Sequence, residues 1–235
     1  MALDRLSLVT FDAMGTLVGL RDPIAGLRDA LASRGAQVDD AAARAAMRAE
    51  IAYYRAHHDE AVDVDALLDL RRRCAAVVRD ALPPTGLDDD AILAALLEAV
   101  RFEVLPGALE ALGAVRARGI ATAVVSNWDV SLHAVLRQTG LEPLVDRVVT
   151  SAEAGVAKPD PAIFAPLLDD LDPAAALHVG DSLEDDVAGA LAAGMHAALV
   201  VPDGKPADVP PGVIVLRGLA DLAGTDQPLP YPGTD

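Results

Sequence analysis

The spacing of apolar residues along the chain changes near residue 20 and again near residue 105. Before the first point, a short and mostly apolar run over about residues 6–11 predicts a buried strand, because a strand covered on both faces carries little polar surface. Between the two points, apolar side chains recur at helical spacing, which predicts helices and no strand. The four helices predicted there lie near residues 22–34, 39–58, 64–82 and 89–103.

From Pro106 onward, apolar runs of strand length alternate with stretches of helical spacing. Gly119, Gly140 and Gly194 follow three of the helical stretches, where glycine commonly ends a helix. An alternation of strand and helix predicts a parallel sheet with helices on both faces. The predicted strands lie near 120–126, 146–151, 176–180, 196–201 and 213–216, and the predicted helices near 107–118, 130–139, 161–170 and 185–193.

The charge and cysteine content narrow the range of partners. The 235 residues include 36 acidic and 19 basic ones, which gives a formal net charge of −17 and argues against nucleic acid or anionic membrane as a partner. Cys74 is the only cysteine, so an intrachain disulfide is excluded and a reducing compartment fits. The N-terminus lacks a signal-peptide pattern, and no apolar run reaches the ~18 residues of a membrane span. We expect a cytoplasmic protein, monomeric or homodimeric.

Polar side chains stand where several predicted strands end. Asp12, Ser126 and Asp181 each close or directly follow a strand, and Asp186 comes five residues after Asp181. Lys158 lies in a loop before a predicted helix. Ligands of open parallel α/β sheets bind outside the carboxyl ends of the strands, so we expect these side chains to meet at one edge of the sheet.

This set of side chains suits phosphoryl transfer. Asp12 can attack phosphorus and form an aspartyl-phosphate. Mg²⁺ would remove the repulsion between carboxylate and phosphate, with oxygen ligands from Asp12, Asp181 and a backbone carbonyl near Met14. Lys158 would hold a phosphate oxygen and keep Asp12 ionised, and the Ser126 hydroxyl can bind another oxygen. Taken singly, Asp12 could equally be a turn residue and Ser126 a helix cap.

Four motifs together resemble the haloacid dehalogenase (HAD) superfamily of hydrolases, and they occur in that superfamily's order. They are FDAMGTL, VVSNWD, AKPDPAIF and HVGDSLEDDVAGA. The resemblance implies an α/β protein with a Rossmann-like parallel sheet core and an inserted all-helical cap domain. The domains it implies are a core of residues 1–19 and 105–223, a cap of residues 20–104 and a flexible tail of residues 224–235.

The resemblance also assigns roles to individual residues. It implies that Asp12 is the nucleophile and that Ser126 and Lys158 bind the phosphoryl group. It also implies that Asp181 is a ligand of a Mg²⁺ ion and that Asp186 supports this site. The candidate catalytic residues are therefore Asp12, Lys158 and Ser126; the candidate substrate-binding residues are Gly15, Thr16, Asn127 and Trp128; and the candidate metal ligands are Asp12, the Met14 backbone carbonyl, Asp181 and Asp186.

Met14 departs from the pattern of the superfamily's phosphatases, which carry a second aspartate there to protonate the leaving group. A thioether cannot transfer that proton, and general acid–base help is typically worth ~10²–10⁴-fold. The 2-haloacid dehalogenases also lack this acid and need no metal, but their last motif lacks the acidic pattern that Gly180, Asp181 and Asp186 keep here. We therefore favour a Mg²⁺-dependent phosphatase of a small phosphorylated metabolite. The alternatives are a dehalogenase-like hydrolase and a weakly active phosphate-binding protein.

The predicted cap carries its own candidates for substrate selection. His57 and His58 end one helix, and three arginines at positions 71–73 lie on the next. One hypothesis is that one of them faces the cleft and selects an anionic substrate. The alternative is that Tyr54 packs in the cap core and that the arginines lie on a solvated face.

Overall fold

The computed structural model describes residues 5–202 and 208–224. The contacts between Cα atoms divide the described chain into two compact units. An α/β unit takes its residues from 1–19, 104–127 and 132–235, and a helical unit consists of residues 20–103 and 128–131. None of the helices in the described ranges combines the length and the apolar character needed to cross a membrane.

The α/β unit is built on a parallel sheet of six strands. The strands of the described chain are β1 (Leu8–Phe11), β2 (Val18–Leu20), β3 (Phe102–Val104), β4 (Ala121–Ser126), β5 (Arg147–Thr150), β6 (Ala176–Gly180), β7 (His196–Val200) and β8 (Ile214–Leu216). The sheet has the order β5-β4-β1-β6-β7-β8, and β2 pairs with β3 separately. The central strands are buried along their whole length, which explains why most of their residues are apolar.

The strand register brings the carboxyl ends of the central strands together. Phe11, the last residue of β1, pairs with Val124 of β4 on one side and with Val179 of β6 on the other. The backbone N–H of Asp12 then donates to the carbonyl of Val179 at 2.9 Å. The residues that follow these three strands therefore emerge at one edge of the sheet, which is the edge where α/β proteins bind their ligands.

The helical unit contains four helices with a shared apolar core. They are α1 (Pro23–Ala32), α2 (Asp40–His57), α3 (Val64–Ala81) and α4 (Asp89–Ala99). Each begins after an aspartate whose side chain accepts a hydrogen bond from a backbone N–H of the first turn, a cap typically worth ~1 kcal/mol. Leu27, Leu70 and Ile92 are among the buried residues of the core, whereas Leu68 and Leu97, which fit the helical spacing, are exposed.

The remaining helices belong to the α/β unit. They are α5 (Ala108–Ala117), α6 (Leu132–Gln138), α7 (Ser151–Ala154), α8 (Ala165–Leu168), α9 (Ala188–Ala192) and α10 (Ala220–Gly224). The single helices predicted near 161–170 and 185–193 are each divided, because a 3₁₀ turn (Pro161–Phe164) precedes α8 and a π-helical turn (Leu183–Val187) precedes α9. The sequence did not predict α10. Apart from Gly224, the predicted tail lies outside the described residues.

The prediction that residues 20–104 contain no strand was wrong. Helix α4 ends at Ala99, the backbone of Val100 leaves the helical region with ψ at 87°, and residues 102–104 form β3 instead of a last helical turn. Nearby, the N–H of Arg21 donates to the carbonyl of Arg101 at 2.8 Å. Strands of three residues are too short to show an alternating pattern, so sequence periodicity cannot detect β2 or β3.

Candidate active site

Asp12 is a buried carboxylate that stands directly after β1. Its Oδ1 atom accepts two hydrogen bonds, from the Ser126 hydroxyl at 2.9 Å and from the Lys158 ammonium at 2.7 Å. Ser126 is the last residue of β4, the strand next to β1. No hydrogen bond from the described residues engages the other oxygen, Oδ2. The structure therefore fixes the orientation of the carboxylate through one oxygen and leaves the second one available.

Lys158 is a buried lysine that reaches Asp12 from the loop before the Pro161–Phe164 turn. Its ammonium also donates to the carbonyl of Val125 at 2.8 Å and to Oδ1 of Asp186 at 2.5 Å, so all three of its protons have acceptors. Asn127 holds the lysine backbone from both sides: its side-chain oxygen accepts from Lys158 N–H at 2.8 Å, and its amide donates to the Lys158 carbonyl at 2.9 Å. Asn127, predicted to bind substrate, thus uses its side chain to position Lys158.

Asp186 anchors the other side of the lysine. Its Oδ1 accepts from Lys158 and from Nε2 of His178 at 3.0 Å, and its Oδ2 accepts from the backbone N–H of Ser182 at 3.0 Å. His178 lies in β6, and its Nδ1 is 2.8 Å from the hydroxyl of Thr10 in β1. Gly180 is needed beside this carboxylate, because a Cβ at that position would overlap the Asp186 side chain.

The pKa shifts of these groups follow from burial and from the central lysine. Burial raises the pKa of Asp12, and the nearby Lys158 charge opposes this shift without overcoming it. Burial alone would also raise the pKa of Asp186, but the hydrogen bond from His178 and the charge of Lys158 hold it well below its ordinary value. Burial lowers the pKa of Lys158, and the charges of Asp12 and Asp186 outweigh that loss and raise it. The lysine is therefore a permanent cation between two carboxylates.

Asp181 is an exposed carboxylate beside the cluster. Burial of part of its surface raises its pKa to about 6, with the charges of Asp12 and Asp186 adding to the effect. Gly15 packs against it with φ at +83°, and a Cβ on Gly15 would overlap the Asp181 carboxylate. An open cavity of about 570 Å³ is lined by Gly15, by residues 181–184 and by residues 199–202.

The carboxylates can offer oxygen ligands to a cation. Asp12, Asp181 and Asp186 each place one oxygen within 4.8 Å of the others. A set of hard carboxylate oxygens fits Mg²⁺, which prefers a few such ligands and keeps several waters. Asp12 and Asp181 have oxygens without hydrogen bonds from the described residues, whereas both Asp186 oxygens already accept protons from the protein. The backbone carbonyl of Met14, the other predicted ligand, accepts no hydrogen bond in the described ranges.

Two further predicted residues have different surroundings. Thr16 is buried, and its hydroxyl has no hydrogen-bond partner among the residues that the structure describes. Trp128 belongs to the helical unit, where it is buried with its ring 5.2 Å from that of Phe102 and its indole N–H donates to Ser131 at 3.3 Å. Of the predicted substrate-binding residues, Gly15, Thr16 and Asn127 thus belong to the α/β unit and Trp128 to the helical unit.

In the helical unit, several of the cap candidates already interact with neighbours. His57 stacks on the Tyr53 ring with centroids 4.0 Å apart. Arg73 donates to Asp69 and to Glu60, and it also bonds the Tyr53 hydroxyl. These contacts support the interpretation that His57 and Arg73 organise the surface of the helical unit.

The sequence analysis missed the polar pair Thr10–His178 and the pair Tyr54–Asp129. The Tyr54 hydroxyl donates to Asp129 at 2.9 Å, and both side chains lie in the helical unit. A signal for the first pair was present in the sequence: Thr10 and His178 are polar residues inside two apolar strands that were expected to be buried. Once the register pairs them, their contact follows.

Comparison with known proteins agrees with this geometry. A family model for haloacid dehalogenase-like hydrolases matches residues 6–194, so the chain belongs to that hydrolase family. Among curated proteins, the human haloacid dehalogenase-like hydrolase domain-containing protein 3 is 34% identical over 213 residues, covering 84% of this chain and 82% of that protein.

Two other relatives carry functional names. Ribulose-1,5-bisphosphate 5-phosphatase from Halopiger xanaduensis is 38% identical over 116 residues, covering 48% of each chain. The crystal structure of a 2-haloacid dehalogenase from Pseudomonas syringae pv. Tomato superposes with a TM-score of 0.64 at 27% identity, covering 93% of this chain and 97% of the other. The α/β fold and a hydrolase function are therefore shown, and phosphatases occur among the relatives.

Proposed function

We propose that this chain is a Mg²⁺-dependent phosphatase that acts on a small phosphorylated molecule through an aspartyl-phosphate. The observation that carries the proposal is the state of Asp12. Its Oδ1 is held by Ser126 and Lys158, its Oδ2 takes no hydrogen bond from the described residues, and the exposed carboxylate of Asp181 belongs to the same acidic cluster. A carboxylate fixed in this way is prepared to attack with its second oxygen.

The proposed reaction has two steps. In the first, Oδ2 of Asp12 forms a bond to phosphorus while the bond from phosphorus to the ester oxygen breaks, and the alkoxide leaves and takes a proton from water. In the second, water attacks the aspartyl-phosphate, inorganic phosphate leaves and the Asp12 carboxylate is restored. Lys158 and Ser126 keep the nucleophile oriented through both steps, and the Lys158 ammonium offers positive charge to the phosphoryl oxygens.

Mg²⁺ would be held by Asp12, Asp181 and the Met14 carbonyl, and it would neutralise the charge that a phosphate dianion brings to this acidic cluster. Asp186 supports the site by holding Lys158. Met14 supplies no proton, so the chain itself does not protonate a leaving alkoxide at this position. We therefore expect esters whose leaving group is stable as an anion to react faster than simple alkyl phosphates.

The comparisons support the proposal at the level of reaction class. A phosphatase from Halopiger xanaduensis is a relative over about half of the chain, and the family model describes a hydrolase. A helical cap formed by residues 20–104 that closes over the substrate, and a location in the cytoplasm, also belong to this proposal.

A second candidate function is metal-independent dehalogenation of a 2-haloacid. Two observations favour it: Met14 stands where the phosphatases carry their acid, and the Pseudomonas dehalogenase is 27% identical in a superposition that covers 93% of this chain. Asp181 argues against dehalogenation. Its exposed carboxylate beside Asp12 could bind a metal ion, and without a metal it would repel a carboxylate substrate. The third possibility is a phosphate-binding protein with little turnover. It would apply if the site binds phosphate but the reaction is too slow to give product.

The test measures phosphate release from a panel of phosphate esters with Mg²⁺ or with EDTA, and chloride release from 2-chloropropionate in parallel. Asp12→Asn is the matched control, since it removes the nucleophile and keeps the shape. We expect phosphate release that needs Mg²⁺ and is lost in Asp12→Asn, with a phosphoryl group trapped on the peptide containing Asp12 after acid quench. Chloride release that survives EDTA would establish the dehalogenase, and phosphate binding without any product would establish the third possibility.

A further inference from the structure

His178 is a histidine whose position in the sheet is not explained by packing alone. It lies in the middle of β6 and is 1% exposed, with the ring of Phe164 edge-on at 5.0 Å. Both ring nitrogens have polar partners, Thr10 at 2.8 Å and Asp186 at 3.0 Å. A core histidine needs its nitrogens satisfied, but this one is connected to the carboxylate that holds Lys158.

The partners decide which ring nitrogen carries the proton. Asp186 accepts from Lys158 and from the Ser182 N–H and has no proton of its own to give, so the nitrogen that faces it, Nε2, must be the donor. Nδ1 then accepts from the Thr10 hydroxyl. The alternative tautomer would place the lone pair of Nε2 against a carboxylate lone pair. The hydrogen bonds therefore run in one direction, from Thr10 through His178 to Asp186.

This chain of hydrogen bonds ends on the nucleophile. Oδ1 of Asp186 is shared by the His178 ring and the Lys158 ammonium, while the N–H of Ser182 fixes the second oxygen. Lys158 in turn donates a hydrogen bond to Oδ1 of Asp12. If the imidazole donor were missing, the Asp186 carboxylate could turn about the Ser182 contact and draw the ammonium away from Asp12.

We propose that His178 is a positioning residue for catalysis, which holds the Asp186 carboxylate so that the Lys158 ammonium stays on Asp12. This inference rests on the proposed phosphatase function for its kinetic consequence. His178 does not touch the substrate in this account. Its contribution is made through Asp186, as partners that orient a catalytic group commonly contribute about 10–100-fold to activity.

The test compares two amides of different length at the same position. His178→Gln can place an amide N–H where Nε2 stands and donate to Asp186, whereas the shorter His178→Asn reaches only toward Thr10. With the best ester from the panel and Mg²⁺, we expect His178→Asn to lower kcat about 10–100-fold with KM changed less than about threefold. We expect His178→Gln to stay within about threefold of the wild type. His196→Gln, in the neighbouring strand β7, is the matched control and should leave kcat unchanged.

The outcomes separate positioning from packing. Equal kcat values in the two variants, or a loss in His178→Gln as large as in His178→Asn, would overturn the inference. If His178→Asn does not fold, ¹H–¹⁵N correlation spectra of the wild-type imidazole decide: an Nε2–H tautomer is required, and an Nδ1–H tautomer refutes the direction of the chain. The wild type and Asp12→Asn are assayed together with the His178 variants. If no phosphate release depends on Asp12, the proposed function is refuted, and the tautomer in the ¹H–¹⁵N spectra is then the test of the His178 hydrogen bonds.

Discussion

Replacing Lys158 by methionine should destabilise the α/β unit strongly at neutral pH. Methionine has nearly the length of lysine and no charge, so the change removes the cation without leaving a large cavity. Three hydrogen bonds disappear with it, to Asp12, Asp186 and the carbonyl of Val125. Two buried carboxylates then face each other without a positive charge between them.

The size of the effect follows from the geometry of the two ion pairs. The ammonium lies 2.7 Å from Asp12 and 2.5 Å from Asp186, and the three side chains are only 2–10% exposed. At an effective dielectric constant of ~20, each pair has a gross attraction of about 6 kcal/mol, most of which offsets the cost of burying the ions. Removing one partner of such a cluster exposes that cost, so we expect the free energy of unfolding to fall by about 3–5 kcal/mol.

The change of this stability loss with pH is a second, independent test of the prediction. In the folded wild type, the pKa of Lys158 lies above the ordinary pKa of lysine. The lysine therefore contributes its full stabilisation at any pH below the ordinary pKa, and this stabilisation is lost only when the pH rises through the folded pKa. Between pH 5 and pH 8 that contribution is therefore constant. In Lys158→Met the pKa values of Asp12 and Asp186 rise, because the cation that lowered them is gone. The loss of stability should then shrink as the pH falls from 8 to 5.

The assay must follow the α/β unit separately. The single tryptophan, Trp128, belongs to the helical unit, so its fluorescence during urea unfolding serves as an internal control. Hydrogen exchange of peptides covering β1 and β4 reports on the unit that holds Lys158. Asp12→Asn combined with Lys158→Met removes one of the two unpaired carboxylates and should recover at least about 1 kcal/mol. A loss below about 1 kcal/mol at pH 7, or one that does not change with pH, would refute the reasoning.

Three further predictions test other features of the chain. Gly15→Ala should abolish stabilisation by Mg²⁺ in a thermal titration, because φ is +83° and the added Cβ would overlap a carboxylate of the acidic cluster. The control is Gly35→Ala, where φ is +91° and the space around the added Cβ is open. This control should cost about 1–2 kcal/mol of strain in the helical unit and keep the Mg²⁺ response. Tyr54→Phe should lower the stability of the helical unit by about 1.5–3 kcal/mol in tryptophan-monitored unfolding, because the buried Asp129 carboxylate loses a donor, and a change below about 0.5 kcal/mol would contradict this. Met14→Asp should raise turnover of alkyl phosphates at least about tenfold and leave aryl phosphates little changed, and equal effects on both would argue against a missing acid.

Much of the site was accessible from the sequence because it lies where strands end. Asp12, Ser126 and Asp181 stand at the carboxyl ends of β1, β4 and β6, and parallel strands place those ends at one edge of a sheet whatever the details of packing. Strand and helix existence followed from periodicity for the long elements. The short strands β2 and β3 were missed, because three residues carry no period.

Other features of the site depend on residues that are far apart in the sequence. Thr10 and His178 are separated by 168 positions; each stands out as a polar residue in an apolar strand, but only the strand register shows that they meet. Asn127 was predicted to bind substrate, and nothing local to it indicates that both ends of its amide hold the backbone of Lys158, 31 positions away. Trp128 was also predicted to bind substrate; the contacts assign it to the helical unit, and its role stays a prediction.

The sequence by itself determined the class of the fold, the order of its two units and the residue types of the site. It did so because hydrophobic period, strand ends and short motifs are local properties of the chain. The tertiary structure decided the directions of the hydrogen bonds: which oxygen of Asp12 is held, which carboxylate anchors Lys158, and which histidine orients that anchor. Those directions depend on side chains from a strand end, a loop, a helical turn and a strand meeting at distances of 2.5–3.0 Å, and only the folded unit brings them that close.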